Sequence, residues 1–204
     1  MAYYSFNKLS TNPIYVGFSG SKFYNSRYKL DAVFSQNVGR TAIVIMLNPS
    51  STGKANIFFN VNFSNLTDVD ETTFKVLETL TTNNSISNSV GGSFDRIIIL
   101  NLYPYFSSNP RDIKKVFRNG INNQCYELNM KEISRVINNN QNATIVCAWG
   151  KSFARKKETN RIVKILQKNK IQSAYAITSK NAQVFTSLTL KQIDNKCAFH
   201  GSQW

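Results

Sequence analysis

The stretch RIIILNLYPYFSSNPRDIKK, residues 96–115, decides the fold. Its apolar run at 97–100 shows no alternation of apolar and polar residues, which is typical of a strand buried on both faces of a parallel sheet. The run stops at Asn101, so a predicted core strand carries an amide at its tip. Asn109 and Pro110 then supply the start signals of a helix. A strand followed by a helix is the repeating unit of parallel α/β folds.

Three other apolar runs have the same character, and helical or loop patterns separate them. The runs are AIVIML (42–47), TIVCAW (144–149) and SAYAIT (173–178). Spacing of apolar residues predicts helices at 70–80, 122–138 and about 152–169, besides the one that starts at Asn109. Residues 27–34 indicate an extra strand before the core, whereas 81–93 and 179–204 are predicted to be loop or tail.

This alternation predicts an α/β fold with a four-stranded, mostly parallel sheet and helices on both faces. At 204 residues the chain is expected to form a single domain, 1–204, with its core at about 27–190. Ligands of such sheets bind beyond the carboxyl ends of the strands. Asn48 and Asn101 follow two of the predicted strands, and they are expected to face one cleft. The alternative is that each amide only caps its own loop.

The charge of the chain favours a polyanionic partner. Twenty-five Lys and Arg residues face eleven Asp and Glu residues, a net charge of +14. This excess favours nucleic acid first, an acidic protein second and an anionic membrane surface third, while a simply solvated basic surface is the remaining alternative. Eight basic residues lie between Lys151 and Lys170. Lys151 and Ser152 follow a predicted strand and are the best phosphate candidates among them.

Several classes of function are excluded or disfavoured. The segment WGKSF lacks the earlier glycine of a phosphate-binding loop, because Ile145 occupies that position. His200 is the single histidine, so a multi-histidine metal site is excluded, and no metal or cofactor is predicted. No apolar run is long enough to span a membrane. The first ten residues contain no apolar signal core, so a cytoplasmic location is expected.

Four segments in this order carry a family resemblance: MLNPSST, DETTFK, NLYPYFSSNPRDI and VCAWGKSF. From about Arg27 to Leu190 they resemble a family catalogued as domain of unknown function 1643. That family is in turn similar to the uracil-DNA glycosylase superfamily. Members of the superfamily have a four-stranded parallel α/β fold and flip a base out of DNA into a pocket at the strand ends.

The resemblance implies roles for individual residues. Asn48 matches the position that holds the attacking water, and Asn101 matches the asparagine that hydrogen-bonds the edge of a pyrimidine. Phe58 or Phe59 corresponds to the ring that stacks on the flipped base. Apart from the resemblance, Tyr103 lies in the loop after a predicted core strand, where its ring either stacks on a base or anchors the loop against the core. The expected contacts to the DNA backbone are Ser50, Ser51, Lys151, Ser152, Arg155 and Ser187.

One departure from the superfamily pattern bears on catalysis. The last glycosylase motif has a His-Pro pair that stabilises charge on the departing base, and the aligned residues here are Thr186 and Ser187. Loss of one such donor costs on the order of 10²–10³ in rate. Asn48 in place of an aspartate also implies weaker activation of water.

The sequence therefore predicts a DNA-binding protein with a base-binding pocket and little or no glycosylase activity. The expected partner is single- or double-stranded DNA, including uracil-containing DNA, and the protein is expected to be a monomer. Two alternatives stay open. In the first, the protein is an active DNA glycosylase of altered base specificity. In the second, it is an interaction module that binds acidic, DNA-mimicking glycosylase inhibitors.

Overall fold

The computed structural model describes residues 3–4, 6–49, 60–61, 69–106, 122–150, 154, 156–177, 182–186 and 188–193. The strands are β1 (Tyr3–Tyr4), β2 (Tyr15–Ser21), β3 (Ser26–Val33), β4 (Thr41–Met46), β5 (Asn60–Val61), β6 (Val69–Asp70), β7 (Arg96–Asn101), β8 (Thr144–Ala148), β9 (Ser173–Ile177) and β10 (Ala182–Thr186). The α-helices are α1 (Glu71–Thr81), α2 (Ser85–Ser89), α3 (Asn122–Asn138) and α4 (Lys156–Lys168). Short 3₁₀ helices cover Phe6–Lys8 and Leu190–Gln192.

The described strands form one large mixed sheet and one small sheet. The large sheet has eight strands in the order β10-β9-β8-β4-β7-β3-β2-β5, and β1 pairs with β6. Strands β9, β8, β4 and β7 are parallel to one another and form the centre. The remaining strands of the large sheet are antiparallel to their neighbours. Every carboxyl end of the parallel strands therefore lies at one edge, called here the carboxyl edge.

The predicted four-stranded, mostly parallel sheet is wrong. All four predicted core strands are present and parallel, but the sheet also contains the antiparallel strands β2, β3, β5 and β10. Strand β2 was not predicted because its sequence, YVGFSGS, lacks a continuous apolar run: it has two glycines and three partly exposed residues. Strand β10 has a single buried residue, Phe185, and lies in the segment predicted to be tail. Strands at or near sheet edges bury little apolar area, so their sequence signal is weak.

Two hydrophobic clusters cover the two faces of the sheet, and helices lie on both faces as predicted. Helices α1 and α2 contribute Val76, Leu77, Leu80 and Ile86 to the cluster that includes Val44, Ile97 and Ile99. Helices α3 and α4 contribute Met130, Ile133, Ile162 and Leu166 to the cluster that includes Ile43, Ile98, Leu100 and Trp149.

The structure confirms the predicted helices at 70–80, 122–138 and about 152–169, which correspond to α1, α3 and α4. Asp70 caps α1, because its carboxylate accepts a hydrogen bond of 3.1 Å from the Thr73 amide. The segment 81–93 contains the short helix α2, whose Asn84 forms a capping box with Ser87. The helix predicted to start at Asn109 lies outside the described residues.

A buried carboxylate joins the antiparallel hairpin to the parallel core. Asp31 on β3 accepts hydrogen bonds from Arg96 Nε at 2.9 Å and Arg96 Nη2 at 2.7 Å, across the β3–β7 pair. Lys29 Nζ lies 3.4 Å from the same carboxylate. Burial by itself would raise the pKa of Asp31, but the hydrogen bonds and charge of Arg96, with the charge of Lys29, hold it below its usual range.

Replacement of this carboxylate is expected to destabilise the fold. Asp31→Asn should lower the free energy of unfolding at neutral pH by about 1–3 kcal/mol, because it removes hydrogen bonds between charged groups. Glu132→Gln is the matched control, since Glu132 pairs with the largely exposed Arg135, and it should cost less than about 1 kcal/mol. Urea unfolding of both variants measures the difference.

The cost of Asp31→Asn should also depend on pH. The pKa of Asp31 is lower in the folded than in the unfolded protein, so its contribution is complete above the unfolded value of about 3.9. The contribution disappears as the pH falls through the lower, folded value. Equal costs for Asp31→Asn and Glu132→Gln at neutral pH would contradict this assignment.

Candidate functional site

The carboxyl ends of the three central strands are level with one another. Met46 at the end of β4 pairs with Asn101 of β7 on one side and with Ala148 of β8 on the other. Backbone contact continues past β4, where Leu102 N donates to Met46 O at 2.7 Å and Tyr103 N donates to Leu47 O at 2.9 Å. Adjacent strands lie about 4.8 Å apart, so Asn101 and Ala148 are separated by about 10 Å.

Asn101 is a buried amide whose hydrogen bonds are incomplete. Its side chain is fully buried, and alternation along β7 assigns it to the face with Ile97 and Ile99, which α1 covers. Its Nδ2 donates to the Arg27 carbonyl over a long 3.5 Å. No described residue hydrogen-bonds to its Oδ1. The amide is therefore not consumed by its own loop, as the capping alternative required.

Two other buried side chains at the same edge also have a polar atom without a partner in the described part of the chain. Asn129 of α3 uses Nδ2 to donate to the Asn101 carbonyl at 2.8 Å, which leaves its Oδ1 unbonded. Trp149 follows directly on β8, is fully buried and has an unbonded Nε1. Each such atom costs about 1–3 kcal/mol, and native proteins contain few of them. Two acceptors and one donor thus lie at this edge, Asn101 on the face that α1 covers and Asn129 and Trp149 on the side of α3 and α4, and they are candidate contacts for a polar ligand.

A β-bulge places a charged residue at this edge. Ser19 of β2 pairs with Lys29, and Gly20 pairs with Arg27, so Tyr28 is the additional residue of β3. Tyr28 turns toward α3, where its hydroxyl lies 3.7 Å from Cys125 Sγ. The backbone N–H of Arg27 donates to the Pro104 carbonyl at 2.8 Å, which ties β3 to the loop after β7.

Arg27 is a buried cation, and the negative charge of Asp70 stabilises it. Arg27 is 1% exposed and Asp70 is 2% exposed. Burial lowers the pKa of Arg27 to about 10, and the negative charge of Asp70 opposes that shift. Arg27 therefore stays charged at neutral pH. Sequence analysis missed both residues as site candidates, because Arg27 stands in a predicted strand and Asp70 at a predicted helix start.

The two predicted asparagines do lie at the same edge. Asn48 comes two residues after Met46, is 8% exposed and follows the strand next to that of Asn101. Tyr103 also lies here, but at 1% exposure it packs in the core cluster on the α3 face. Its ring therefore offers no open surface of the kind that stacks on a base.

Thr186 is not brought to this edge. Strand β10 runs antiparallel to β9, and Thr186 pairs with Ser173, the first residue of β9. Ile177 and Ala182 mark the other end of that pair, which is the end level with the carboxyl edge. Thr186 thus lies at the opposite edge of the sheet from Asn101, and its assignment to a catalytic position loses its geometric basis.

The other predicted site residues lie outside the described residues. They are Phe58 and Phe59 for base stacking, and Ser50, Ser51, Lys151, Ser152, Arg155 and Ser187 for the DNA backbone.

Positive charge lines a groove between α3 and α4. Lys131, Lys164 and Lys168 surround this cavity of about 280 Å³. Arg161 lines it too, and its guanidinium donates to the Glu127 carboxylate at 2.6 and 2.7 Å. Both helices begin at the carboxyl edge, because each follows a central parallel strand. The groove runs along the middle of α3 and the second half of α4, with Lys168 at the last residue of α4, and so lies away from these helix starts.

The family model described as "Protein of unknown function (DUF1643)" matches residues 27–185. No curated protein and no solved structure matches the chain. The similarity to the uracil-DNA glycosylase superfamily stays a prediction. No helix in the described ranges combines the length and apolarity needed to cross a membrane.

The Asn101 amide should be dispensable for stability. Asn101→Leu keeps the shape of the side chain and removes an unbonded oxygen, so the free energy of unfolding should change by less than about 0.5 kcal/mol. Asn129→Leu breaks the 2.8 Å hydrogen bond to the Asn101 carbonyl and should cost about 1–2 kcal/mol. Urea unfolding compares the two. If Asn101→Leu costs as much as Asn129→Leu, the amide has a structural role and the ligand site is refuted.

Proposed function

Since the chain belongs to the DUF1643 family of proteins of unknown function, we propose a function from its own site. The protein binds DNA and takes an unpaired base into the carboxyl edge of the sheet, with little or no glycosylase activity. One observation carries the proposal: Asn101 Oδ1, Asn129 Oδ1 and Trp149 Nε1 are buried at that edge without a partner among the described residues.

The chemistry of these groups suits the edge of a nucleobase. A base presents N–H donors and carbonyl or ring-nitrogen acceptors side by side, and an asparagine amide can bond two of them at once. Oδ1 of Asn101 can accept from a base N–H, and its Nδ2 has only a 3.5 Å contact to give up. Trp149 packs on the other face of the sheet from Asn101, so its indole N–H can donate to a different acceptor of the ligand from the groups that Asn101 bonds. Proteins that take up an unstacked base contact its pairing edge in this way.

The charge of the protein suits the phosphates on either side of that base. The net charge is +14, and Lys131, Lys164 and Lys168 line the groove between α3 and α4. Bound lysines release counterions condensed on the nucleic acid, so affinity should fall steeply with salt. A small neutral metabolite could bond the same amide and indole groups, but it would not use this positive charge.

The groups at the edge are poorly suited to break a glycosidic bond. Two buried carboxylates lie at helix starts on this edge, Asp70 before α1 and Glu158 in the first turn of α4. Thr73 donates to Asp70 from its backbone N–H at 3.1 Å and from its hydroxyl at 2.9 Å. Asn48 is uncharged and cannot act as a general base. Thr186 lies at the other edge. These placements favour binding of a base over its removal.

Base recognition is tested by comparing strands of equal charge. The wild type should bind a single strand with all its bases more tightly than one with a single abasic site, by about 1–3 kcal/mol. Asn101→Leu should abolish this difference and leave the salt dependence unchanged, because the amide contacts no phosphate.

Asn138→Leu is the matched control, since it makes the same substitution at the exposed end of α3 on the opposite edge. Fluorescence anisotropy at several salt concentrations provides the measurement. If the wild type binds both strands equally, the base pocket is refuted. If it binds neither strand at low salt but binds an acidic DNA-mimicking protein, the interaction-module alternative replaces the proposal.

Catalysis is tested with uracil-containing single and double strands. At enzyme concentrations below that of substrate, the wild type should release no detectable uracil, because Asn48 is uncharged and cannot activate the attacking water as a general base. Abasic-site formation and binding are scored in the same samples. Multiple turnovers that Asn48→Ala abolishes would overturn the proposal in favour of an active glycosylase.

A further inference from the structure

The hairpin of β2 and β3 ends at the carboxyl edge. Strand β3 is antiparallel to β7, so the turn at residues 22–25 lies beyond the end of β7. Ser26 forms an isolated bridge with Tyr105, and Phe106 N donates to Asn25 O at 3.3 Å. The tip of the hairpin therefore stands beside the loop that follows Asn101, next to the proposed base site.

An aromatic ring projects from this tip into solvent. Phe23 is 84% exposed, and Lys22 beside it is exposed as well. Leu188 is comparably exposed, at 91%, but it follows β10 at the opposite edge. Exposure of a whole phenyl ring loses the free energy that its burial would provide. A ring in this position is accessible to a partner that stacks on it.

Phe23 is held by a rigid turn. Asn25 has a φ of 47°, and its backbone N–H donates to the Lys22 carbonyl at 3.0 Å. Tyr24 is anchored at both ends: its amide donates to Ser21 Oγ at 3.3 Å, and its hydroxyl donates to Gln124 Oε1 of α3 at 2.7 Å. The Phe23 ring meets the Tyr24 ring edge-on, with centroids 4.9 Å apart.

We infer that Phe23 is a base-stacking residue for single-stranded nucleic acid, in contact with a base that flanks the one taken into the carboxyl edge. This inference rests on the proposed function and adds a contact to it. A ring held in place loses little conformational entropy when a base stacks on it. Lys22 and the net charge of +14 attract the phosphates that accompany such a base.

A stacking ring has a distinct energetic signature. Every base has a π-face, so the ring contributes affinity with little preference for sequence. A neutral ring displaces no counterions, so its removal lowers affinity at every salt concentration by about the same factor. Loss of a phosphate-binding lysine would instead reduce the salt slope by about 1.

The test compares Phe23→Ala, Phe23→Trp and Leu188→Ala with the wild type on single-stranded oligonucleotides that contain 2-aminopurine. Phe23→Ala should bind about tenfold or more weakly, with the salt slope unchanged. Phe23→Trp should retain the affinity, and Leu188→Ala, an exposed apolar residue at the opposite edge, should behave as wild type. Quenching of 2-aminopurine fluorescence by the wild type should be lost with Phe23→Ala.

The outcomes separate the two hypotheses. Wild-type affinity in Phe23→Ala, with circular dichroism showing that the variant is folded, overturns the stacking role and leaves DNA binding intact. A lower salt slope in Phe23→Ala also overturns it, since that result assigns the tip to phosphate binding. Absence of wild-type binding at low salt removes the proposed function, and the stacking role fails with it.

Discussion

Two backbone hydrogen bonds beyond the end of β4 hold the site together. They run from Leu102 N to Met46 O and from Tyr103 N to Leu47 O, so the chain after β7 stays beside the chain after β4. Strands of a parallel sheet usually diverge into separate loops where pairing stops. Continued pairing instead keeps Asn48 and Asn101 at neighbouring positions, and β8 on the other side of β4 brings Trp149 to the same level. Every part of the candidate site depends on this alignment.

The antiparallel hairpin extends the same edge and gives it further chemistry. The bulge at Tyr28 interrupts the alternation of side chains between the two faces of β3. Tyr28 therefore contacts α3, and the negative charge of Asp70 acts on Arg27. The turn that joins β2 and β3 then places Phe23 beyond the end of β7. A buried cation, unbonded amide and indole groups and an exposed ring thus lie at one edge, although they come from distant parts of the chain.

The parallel centre could be predicted from sequence because its strands are covered on both faces and therefore consist of near-continuous apolar residues. The edge strands could not, since β2 and β10 leave polar or small residues exposed and lack that signal. In the site, Asn101 was predictable because an amide at the end of an apolar run is conspicuous. Arg27, Asn129 and Phe23 were not, because their roles depend on strand pairing, on a bulge and on helix packing. Thr186 was misplaced for the same reason: its position follows from the antiparallel direction of β10.

The central claim is that a base, and not only the phosphate chain, occupies the carboxyl edge. The indole N–H of Trp149 tests it most directly, because this buried donor has no partner among the described residues and the chain has only two tryptophans. Its ¹H–¹⁵N resonance, identified with Trp149→Phe, can be followed by NMR as single-stranded DNA is added. This resonance is expected to shift with an intact strand and to stay in place with a strand that is abasic throughout. A fixed Trp149 resonance, while backbone signals of α4 move with the intact strand, would contradict the account.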